Sequence, residues 1–420
     1  MKRIILAMLI AMLIIVPVWS SGSEEAADDG TVTLTFMRTG TPEVLRGIFE
    51  PIIAEFEATH PGIKIDMQDL GWSDAERMLQ TMAASRTLPD VMYNLPGTIF
   101  DLADKGLIRD LTPYLDEELI NDMYPAMLDA GKYNGGQYMI TCGGMTLMMW
   151  YNTELFEKAG LDPDNPPETW DELIAAAAAI DQLEGVDGIG LYGNATGGET
   201  SFVFESLFDS AYGGSAWDLE NNRYVYDSPE GRDAAIKALA LIQELVKYAQ
   251  PSVVEYNRFD CRTLLRDGKV GIVLDGVNLA NQVTEQMEAG TIKAALLPAC
   301  PDGEVATAVN VGGWFIPENS EHPDEAWTFL RYLMQPENQF AHKAYGSVPI
   351  LKSEAALSAG TEYDKVVEES TATAYAEGVC PQTTALWLAT GEELQRLILG
   401  MTTPEQTLDN ITAAHEKIYK

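Results

Sequence analysis

The chain has 420 residues, of which 64 are acidic and 27 basic, and its formal net charge at pH 7 is −37. So acidic a protein repels nucleic acid and anionic lipid at long range, which excludes both as partners and weakly disfavours anionic ligands. At ~100 to 200 residues per domain, the length predicts two or three units with ample core.

The N-terminus has the features of a secretory signal peptide. Lys2 and Arg3 precede an apolar run over residues 4–18, and small residues follow. A membrane anchor is the alternative, but the run is shorter than the ~18 residues that a spanning helix usually needs. We therefore expect cleavage of residues 1–22, a disordered acidic leader over residues 23–30, and a periplasmic mature protein.

The four cysteines stand at positions 142, 261, 300 and 380. None lies near the expected cleavage site, so a lipid-modified N-terminal cysteine is excluded. Their spacing does not match a metal site, and an oxidising compartment permits zero, one or two disulfides among them. Their pairing stays open.

The first ordered residues predict alternating strands and helices. Residues 31–36 and 63–67 alternate apolar and polar side chains, as half-buried strands do, and residues 88–94 form a short buried strand. Pro42 follows a threonine cap at the start of a helix, and residues 73–76 spell a capping box for another. This βαβα order favours a parallel sheet within an α/β fold.

Residues 137–151 are apolar and predict a buried strand pair that Gly143 and Gly144 interrupt, with a bend or hinge there. Thr153 is the expected cap of the next helix, which ends at Gly160. Thr169 then opens a further helix with a capping box.

The second half of the chain continues the same alternation. Ser228 and Pro229 predict a helix start, and Asp275 ends a buried strand with Asn278 in the turn after it. The remaining expected elements are a strand over 292–298, a helix from Pro323, and C-terminal helices over 390–400 and from Thr403.

Catalytic and cofactor motifs are missing from the sequence. The four histidines are far apart, and there is no zinc-protease, nucleophile-elbow or phosphate-loop motif. The glycines at 188, 190 and 193 fit a dinucleotide fingerprint nominally, but a helix rather than a strand is expected before them. A glycosidase needs a defined pair of carboxylates, and 64 acidic residues single out none. We expect no enzyme activity, no cofactor and no metal.

Three tryptophans have an unusual sequence context. Trp72, Trp314 and Trp387 stand near glycine or small polar residues, whereas Trp170 and Trp327 fall on helices where packing explains them. An exposed aromatic ring can stack on the C–H face of a sugar. For each of the three, core packing and ligand contact both remain open. Asn94 ends a strand of the predicted sheet, the edge at which such sheets bind ligands.

Several longer segments together resemble one family. They are YNTELFEKAGL with PPETWDEL, PDVMYN, YDSPEGRDAAI, GKVGIVLDG, GGWFIP with EHPDEAWTFLRYLMQPENQ, GSVPIL, and the final stretch from TTALWLATGEELQRLILG. In this order they are similar to the family 1 extracellular solute-binding proteins of carbohydrate ABC importers, the maltose-binding protein group. The similarity extends over residues 31–420.

The resemblance implies a periplasmic-binding-protein type II-like fold, with two α/β lobes joined by a multi-segment hinge and the ligand cleft between them. It places the crossings near residues 139–145, 298–306 and 346–352. Lobe one is then 31–140 plus 303–348, and lobe two is 141–302 plus 349–420. The implied partners are a carbohydrate ligand and the membrane permease subunits of an importer, and the protein is expected to be a monomer.

The resemblance also implies a set of ligand-binding residues. At two of them asparagine replaces an aromatic residue that maltose binders have, which favours a shorter or more polar sugar or a polyol. The alternatives are a phosphorylated polyol or other non-sugar ligand, with an arginine at the phosphate, and an exported glycoside hydrolase. The residues are Arg38, Thr39, Trp72, Asn94, Asp275, Asn278, Trp314 and Trp387.

Overall fold

The computed structural model describes residues 31–40, 42–194, 198–300, 304–358 and 360–420, although not the side chains at 42, 43, 72–77, 344 and 345. The expected signal peptide and leader lie outside these residues. The strands are β1 Val32–Thr39, β2 Ile63–Leu70, β3 Val91–Asn94, β4 Lys132–Tyr133, β5 Gly136–Gln137, β6 Ile140–Asn152, β7 Asp187–Gly190, β8 Trp217–Asp218, β9 Arg223–Tyr224, β10 Val270–Gly276, β11 Ile292–Ala295, β12 Thr307–Phe315 and β13 Ala374–Ala376.

Helices follow most strands and complete the α/β pattern. They are α1 Pro42–Thr59, α2 Trp72–Ser85, α3 Pro96–Asp104, α4 Glu117–Asp122, α5 Pro125–Asp129, α6 Thr153–Lys158, α7 Trp170–Ile180, α8 Glu199–Tyr212, α9 Pro229–Leu245, α10 Arg258–Arg266, α11 Thr284–Glu288, α12 Pro323–Leu333, α13 Pro336–Phe340, α14 Lys352–Ala355, α15 Glu362–Ala372, α16 Thr383–Ile398 and α17 Pro404–Ile418.

Strand β6 joins the two halves of the main sheet. Its first part pairs antiparallel with β12, and β3, β1 and β2 continue the sheet on that side. Its second part pairs with β10 and β11, and β7 continues beyond β10. Strands β1, β2 and β3 are parallel, as the βαβα order predicts.

The structure confirms several helix caps that the sequence predicts. Thr169 forms the predicted capping box, Ser228 caps α9 ahead of Pro229, and Thr403 caps α17 with a capping box. Gly160 follows α6 with a φ of 78°, a left-handed conformation that glycine adopts at little cost.

Three helix starts differ from the prediction. Asn152 rather than Thr153 caps α6, because its side chain accepts a hydrogen bond from the backbone N–H of Leu155 at 3.1 Å. Helix α2 begins after Gly71, which has no side chain to cap it, so residues 73–76 are already helical. Helix α16 begins at Thr383, not Thr390, again without a side-chain cap.

The predicted strand pair at residues 137–151 is wrong. Strand β6 runs without interruption through Gly143 and Gly144, which pair with Gly312 and Val311 of β12. The two glycines lie where the main chain passes from one half of the sheet towards the other. The strand stays continuous, but its register with β12 shifts between Gly312 and Gly313, next to Gly143.

Candidate functional site

Two adjoining cavities lie where β6 and β12 cross the middle of the molecule. The first has a volume of about 410 Å³ and the second about 130 Å³. Met145 of β6, Asn310 of β12 and Arg258 of α10 line both cavities, and Met145 and Asn310 are cross-strand partners. We refer to the two cavities together as the central cleft.

A larger cavity of about 930 Å³ lies elsewhere, between the loop at residues 163–168, β11 and α15. None of the ligand-binding residues predicted from the sequence lines it. The central cleft contains Arg38, Asn278 and Trp387 from that prediction, so it is the better candidate for the functional site despite its smaller volume.

Arg38 reaches the first cavity from the end of β1. Its guanidinium carbon lies 3.2 Å from the centre of the Tyr93 ring, an arrangement in which the cation and the aromatic face attract each other. Thr39 is fully buried and donates a hydrogen bond to the Tyr93 carbonyl at 3.4 Å. Asn94 is 5% exposed, and its side-chain oxygen accepts from the Leu95 N–H at 2.7 Å. Thr39 and Asn94 thus hold the loops behind the cavity, while Arg38 lines it.

The opposite wall contains a buried ion pair. Arg262 of α10 donates to both carboxylate oxygens of Asp275 at 2.6 and 2.7 Å, and to the side-chain oxygen of Asn278 at 2.5 Å. Burial alone would lower the pKa of Arg262, but its hydrogen bonds to Asp275 and the carboxylate charge hold that pKa above its ordinary value. Asp275 is fully buried, and its carboxylate binds Arg262. Asn278 lines the cavity.

Arg258 and Phe259 line the same cavity, although the sequence did not predict them as site residues. The Nε of Arg258 lies 3.5 Å from Glu199 and 3.8 Å from Asp275, and it has no hydrogen-bond partner among the described residues. One terminal nitrogen of Arg258 donates a hydrogen bond to the Met145 sulfur at 3.2 Å. Phe259 is 54% exposed. The available signal was the capping box at Asn257, which fixes both residues in the first turn of α10.

Trp387 lines the second cavity from helix α16. Its indole N–H has no hydrogen-bond partner among the described residues. Gly198 packs against the ring so closely that a Cβ there would lie 2.5 Å from a ring carbon, and its φ of 78° also favours glycine. Glu199 and Glu377 line the same cavity, and Asn310 donates a hydrogen bond to Glu377.

Glu377 belongs to a buried group of three carboxyls with Glu205 and Asp209. Burial raises the pKa of all three, and the charge of Glu205 raises those of Asp209 and Glu377 further. The pKa of Glu205 is raised to about 7, although it accepts hydrogen bonds from Gly378 N–H at 2.6 Å and the Tyr224 hydroxyl at 3.0 Å. These shifts favour the protonated forms, so the group presents less negative charge to the cleft than three carboxyls of ordinary pKa would.

Trp314 is fully buried and lies in the core rather than in the cleft. Its ring centre is 5.3 Å from that of Phe36, 5.7 Å from Phe49 and 5.5 Å from Tyr93, all in edge-on or tilted packing. The sequence left core packing and ligand contact both open for Trp314, and the structure supports core packing. The side chain of Trp72 lies outside the described residues.

Metal and thiol chemistry find no support in the described residues. They contain no group of three or more histidine, cysteine, aspartate or glutamate side chains that could hold a metal ion. The four cysteines are buried, and no disulfide joins them in the described part of the chain. Burial raises the pKa of Cys142, in the wall of the first cavity, to about 12, so its thiol is uncharged.

Comparison with known proteins identifies the family. Residues 42–340 match the family model of the bacterial extracellular solute-binding proteins. The chain belongs to this family. A binding protein of Brucella abortus is 28% identical over 94% of this chain and 95% of its own, and the lactose-binding protein of Rhizobium radiobacter is 24% identical over 76% and 74%.

Solved structures of solute-binding proteins share the fold. The cyclic alpha-maltosyl-1,6-maltose binding protein of Arthrobacter globiformis superposes with a TM-score of 0.80 at 26% identity, covering 93% of this chain and 99% of that one. An ABC transporter solute-binding protein of Thermotoga lettingae, bound with alpha-D-tagatose, has a TM-score of 0.73 at 26% identity, with 92% and 99% covered. The predicted family and the two-lobed α/β fold are both confirmed.

The family assignment gives the central cleft its context. In this solute-binding protein the cleft receives Arg38 from the half of the sheet that contains β1, and Arg258, Asn278 and Trp387 from elements of the other half. Across the described part of the chain, no helix combines the length and the apolar composition that a bilayer-spanning segment requires.

Proposed function

We propose that this protein is the periplasmic substrate-binding component of an ABC importer and captures a carbohydrate, either a monosaccharide, a short oligosaccharide or a polyol. The observation that carries the proposal is the central cleft, which is lined from both halves of the sheet at the strands that join them. The names of its relatives support the ligand class, since they include lactose-binding and maltotriose-binding proteins.

The proposed mechanism is lobe closure. Lobe one comprises residues 31–140 and 303–348, lobe two the remainder, and the crossings act as a hinge. A ligand that contacts both lobes binds the closed state better than the open state, and this difference in affinity shifts the population towards closure. The permease then recognises the closed, loaded form and accepts the ligand.

Within the cleft we assign each side chain a role. Trp387 offers a partly exposed ring for stacking on the C–H face of a sugar. Asn278, Asn310 and Glu377 offer amide and carboxyl groups to hydroxyls. Phe259 adds an exposed apolar surface at the mouth of the first cavity.

The protein acts by binding rather than by chemistry, and works as an exported monomer. A glycoside hydrolase would need two carboxylates poised across the sugar. In this cleft Glu377 is tied to Asn310 and Glu199 faces Arg258. These partners suit groups that position hydroxyls, which is why we favour a binding protein.

Thermal-shift screening of the mature protein against sugars and polyols tests the proposal. A ligand at ~100 times its dissociation constant adds about 2.7 kcal/mol to the free energy of unfolding, a shift that is easily measured. Chromatography of the recovered sugar checks for turnover. Absence of any shift with carbohydrates, or conversion of a sugar to products, would overturn the proposal.

The variant Trp387→Ala tests the site itself. We expect it to fold, as judged by circular dichroism, and to lose most of the affinity for the ligand found in the screen. Trp327→Ala is the matched control, because Trp327 lies on α12 against Tyr114, away from the cleft, and its variant should bind normally. Equal affinity in the two variants would remove Trp387 from the site.

A further inference from the structure

The first cavity of the central cleft has an unexpected charge for so acidic a chain. Arg38 and Arg258 line it, and among the described residues of its wall there is no aspartate or glutamate. Acidic residues outnumber basic ones 64 to 27 in the whole sequence, so a wall with two arginines and no carboxylate is opposite to the average surface. The ionisable side chains of this wall therefore favour negative charge inside the cavity.

The other titratable groups of the wall do not change this balance. His342 is buried, and its Nδ1–H donates to the Cys142 carbonyl at 2.6 Å. Burial, with a further contribution from the charge of Arg38, lowers the pKa of His342 to about 4, so the imidazole is neutral at pH 7. The two guanidinium groups are thus the charges that a ligand meets in the first cavity.

The hydrogen-bonding capacity of Arg258 is largely unused. Both oxygens of Asp275 are already taken by Arg262, at 2.6 and 2.7 Å, which leaves Arg258 only the longer separation of 3.8 Å. Glu199 is 3.5 Å away, and the sulfur of Met145 is a weak acceptor. The terminal nitrogens of such a weakly held planar guanidinium match the paired oxygens of a carboxylate or phosphate.

The second cavity has the opposite character. Glu199 and Glu377 line it together with Trp387, and the buried carboxyls Glu205 and Asp209 lie behind Glu377. Carboxyl groups and an aromatic ring suit the hydroxyls and the C–H face of a sugar, whereas the arginines of the first cavity suit an anionic group. The cleft is therefore polarised along its length.

We propose that the ligand is an anionic sugar, whose carboxylate or phosphate binds Arg38 and Arg258 in the first cavity while its ring lies against Trp387 in the second. This inference rests on the proposed carbohydrate-binding function and narrows its ligand class. Arg258 lines both cavities, so it is the residue that sets the preference for an anionic over a neutral sugar.

The test is calorimetric titration of the mature protein with glucose, glucuronate and glucose 6-phosphate, which differ only at the sixth carbon. We expect at least one anionic sugar to bind tenfold or more tightly than glucose, and the two anionic probes distinguish a carboxylate from a phosphate site. Raising NaCl should weaken the anionic ligand more than glucose, because salt screens the charge interaction. Inorganic phosphate and acetate test whether the anion alone is sufficient, and we expect each to bind at least tenfold more weakly than the preferred sugar.

Arg258→Gln should abolish the preference, reducing the affinity for the anionic sugar at least tenfold while changing that for glucose little. Arg266→Gln is the matched control on the same helix, since Arg266 pairs with Asp267 at the surface and should leave every affinity unchanged. If Arg258→Gln fails to fold, Arg258→Lys keeps the charge without the forked geometry and should lose part of the preference.

The outcomes separate the two proposals. Glucose, maltose or lactose binding as tightly as the anionic sugars would overturn the anionic preference and leave the carbohydrate function standing. An unchanged preference in Arg258→Gln, or acetate or phosphate binding as tightly as the preferred sugar, would likewise overturn only this inference. No binding of any of these sugars would count against both.

Discussion

Removal of the buried arginine Arg262 should destabilise the protein strongly. Arg262 is 2% exposed and Asp275 is fully buried, so Arg262→Leu leaves a carboxylate in the interior without its two charged hydrogen bonds. Breaking a buried pair in this way costs about 3–5 kcal/mol of unfolding free energy. Asn278 also loses a donor at 2.5 Å, which adds to the cost rather than reducing it.

The assay is urea unfolding followed by circular dichroism at pH 7. The double variant Arg262→Leu with Asp275→Leu, which leaves no unpaired charge, should be less destabilised than the single one.

The control is Arg266→Leu on the same helix. Its partner Asp267 lies 3.1 Å away and both side chains are largely exposed, so the loss should stay within about 1 kcal/mol. A loss for Arg262→Leu as small as that for Arg266→Leu would refute the reasoning. It would also reopen a direct ligand contact for Asp275, because that carboxylate would then not depend on Arg262.

Further predictions concern the core, the solvent pH and a helix cap. Trp314→Ala should lower the free energy of unfolding by about 3–5 kcal/mol in a urea titration, as a large core truncation does. Trp387→Ala should lower it less and act mainly on ligand affinity. Similar losses in the two variants would contradict the core assignment of Trp314. Burial raises the pKa of Glu354 from 4.5 to about 7, so its contribution to stability is present below pH 4.5 and is lost as pH rises through 7. Melting temperatures from pH 5 to 8 should therefore fall less steeply in Glu354→Gln than in the wild type, and parallel curves would contradict this. Thr169→Ala removes the capping box of α7 and should lower the unfolding free energy by about 1 kcal/mol, and an unchanged urea midpoint would count against the cap.

Helix starts show which local signals are sufficient. At Thr169 and Thr403 the cap and its partner are three residues apart, so the interaction is complete within a few residues of sequence and was predicted. Helices α2 and α16 begin without a side-chain cap, after Gly71 and Gln382. A search of the sequence for capping side chains therefore could not locate these two starts.

The tryptophans show the same limit at the level of the site. The family resemblance implies a ligand contact for both Trp314 and Trp387. Contacts with Phe36, Phe49 and Tyr93 enclose Trp314, and all three come from other elements. Trp387 instead faces a cavity and the backbone of Gly198. Burial is the sum of such long-range contacts, so the two were indistinguishable beforehand.

By itself, the sequence determined the family, the α/β order of elements and most helix caps, because these depend on motifs and on periodicity within short segments. Only the tertiary structure decided which polar residues share one cleft. Arg38 and Arg258 are far apart in the chain and line one cavity because β6 and β12 pair across the centre of the sheet. It also paired Asp275 with Arg262, since a buried carboxylate must find a charged partner, and placed Arg258 in the wall of the cleft.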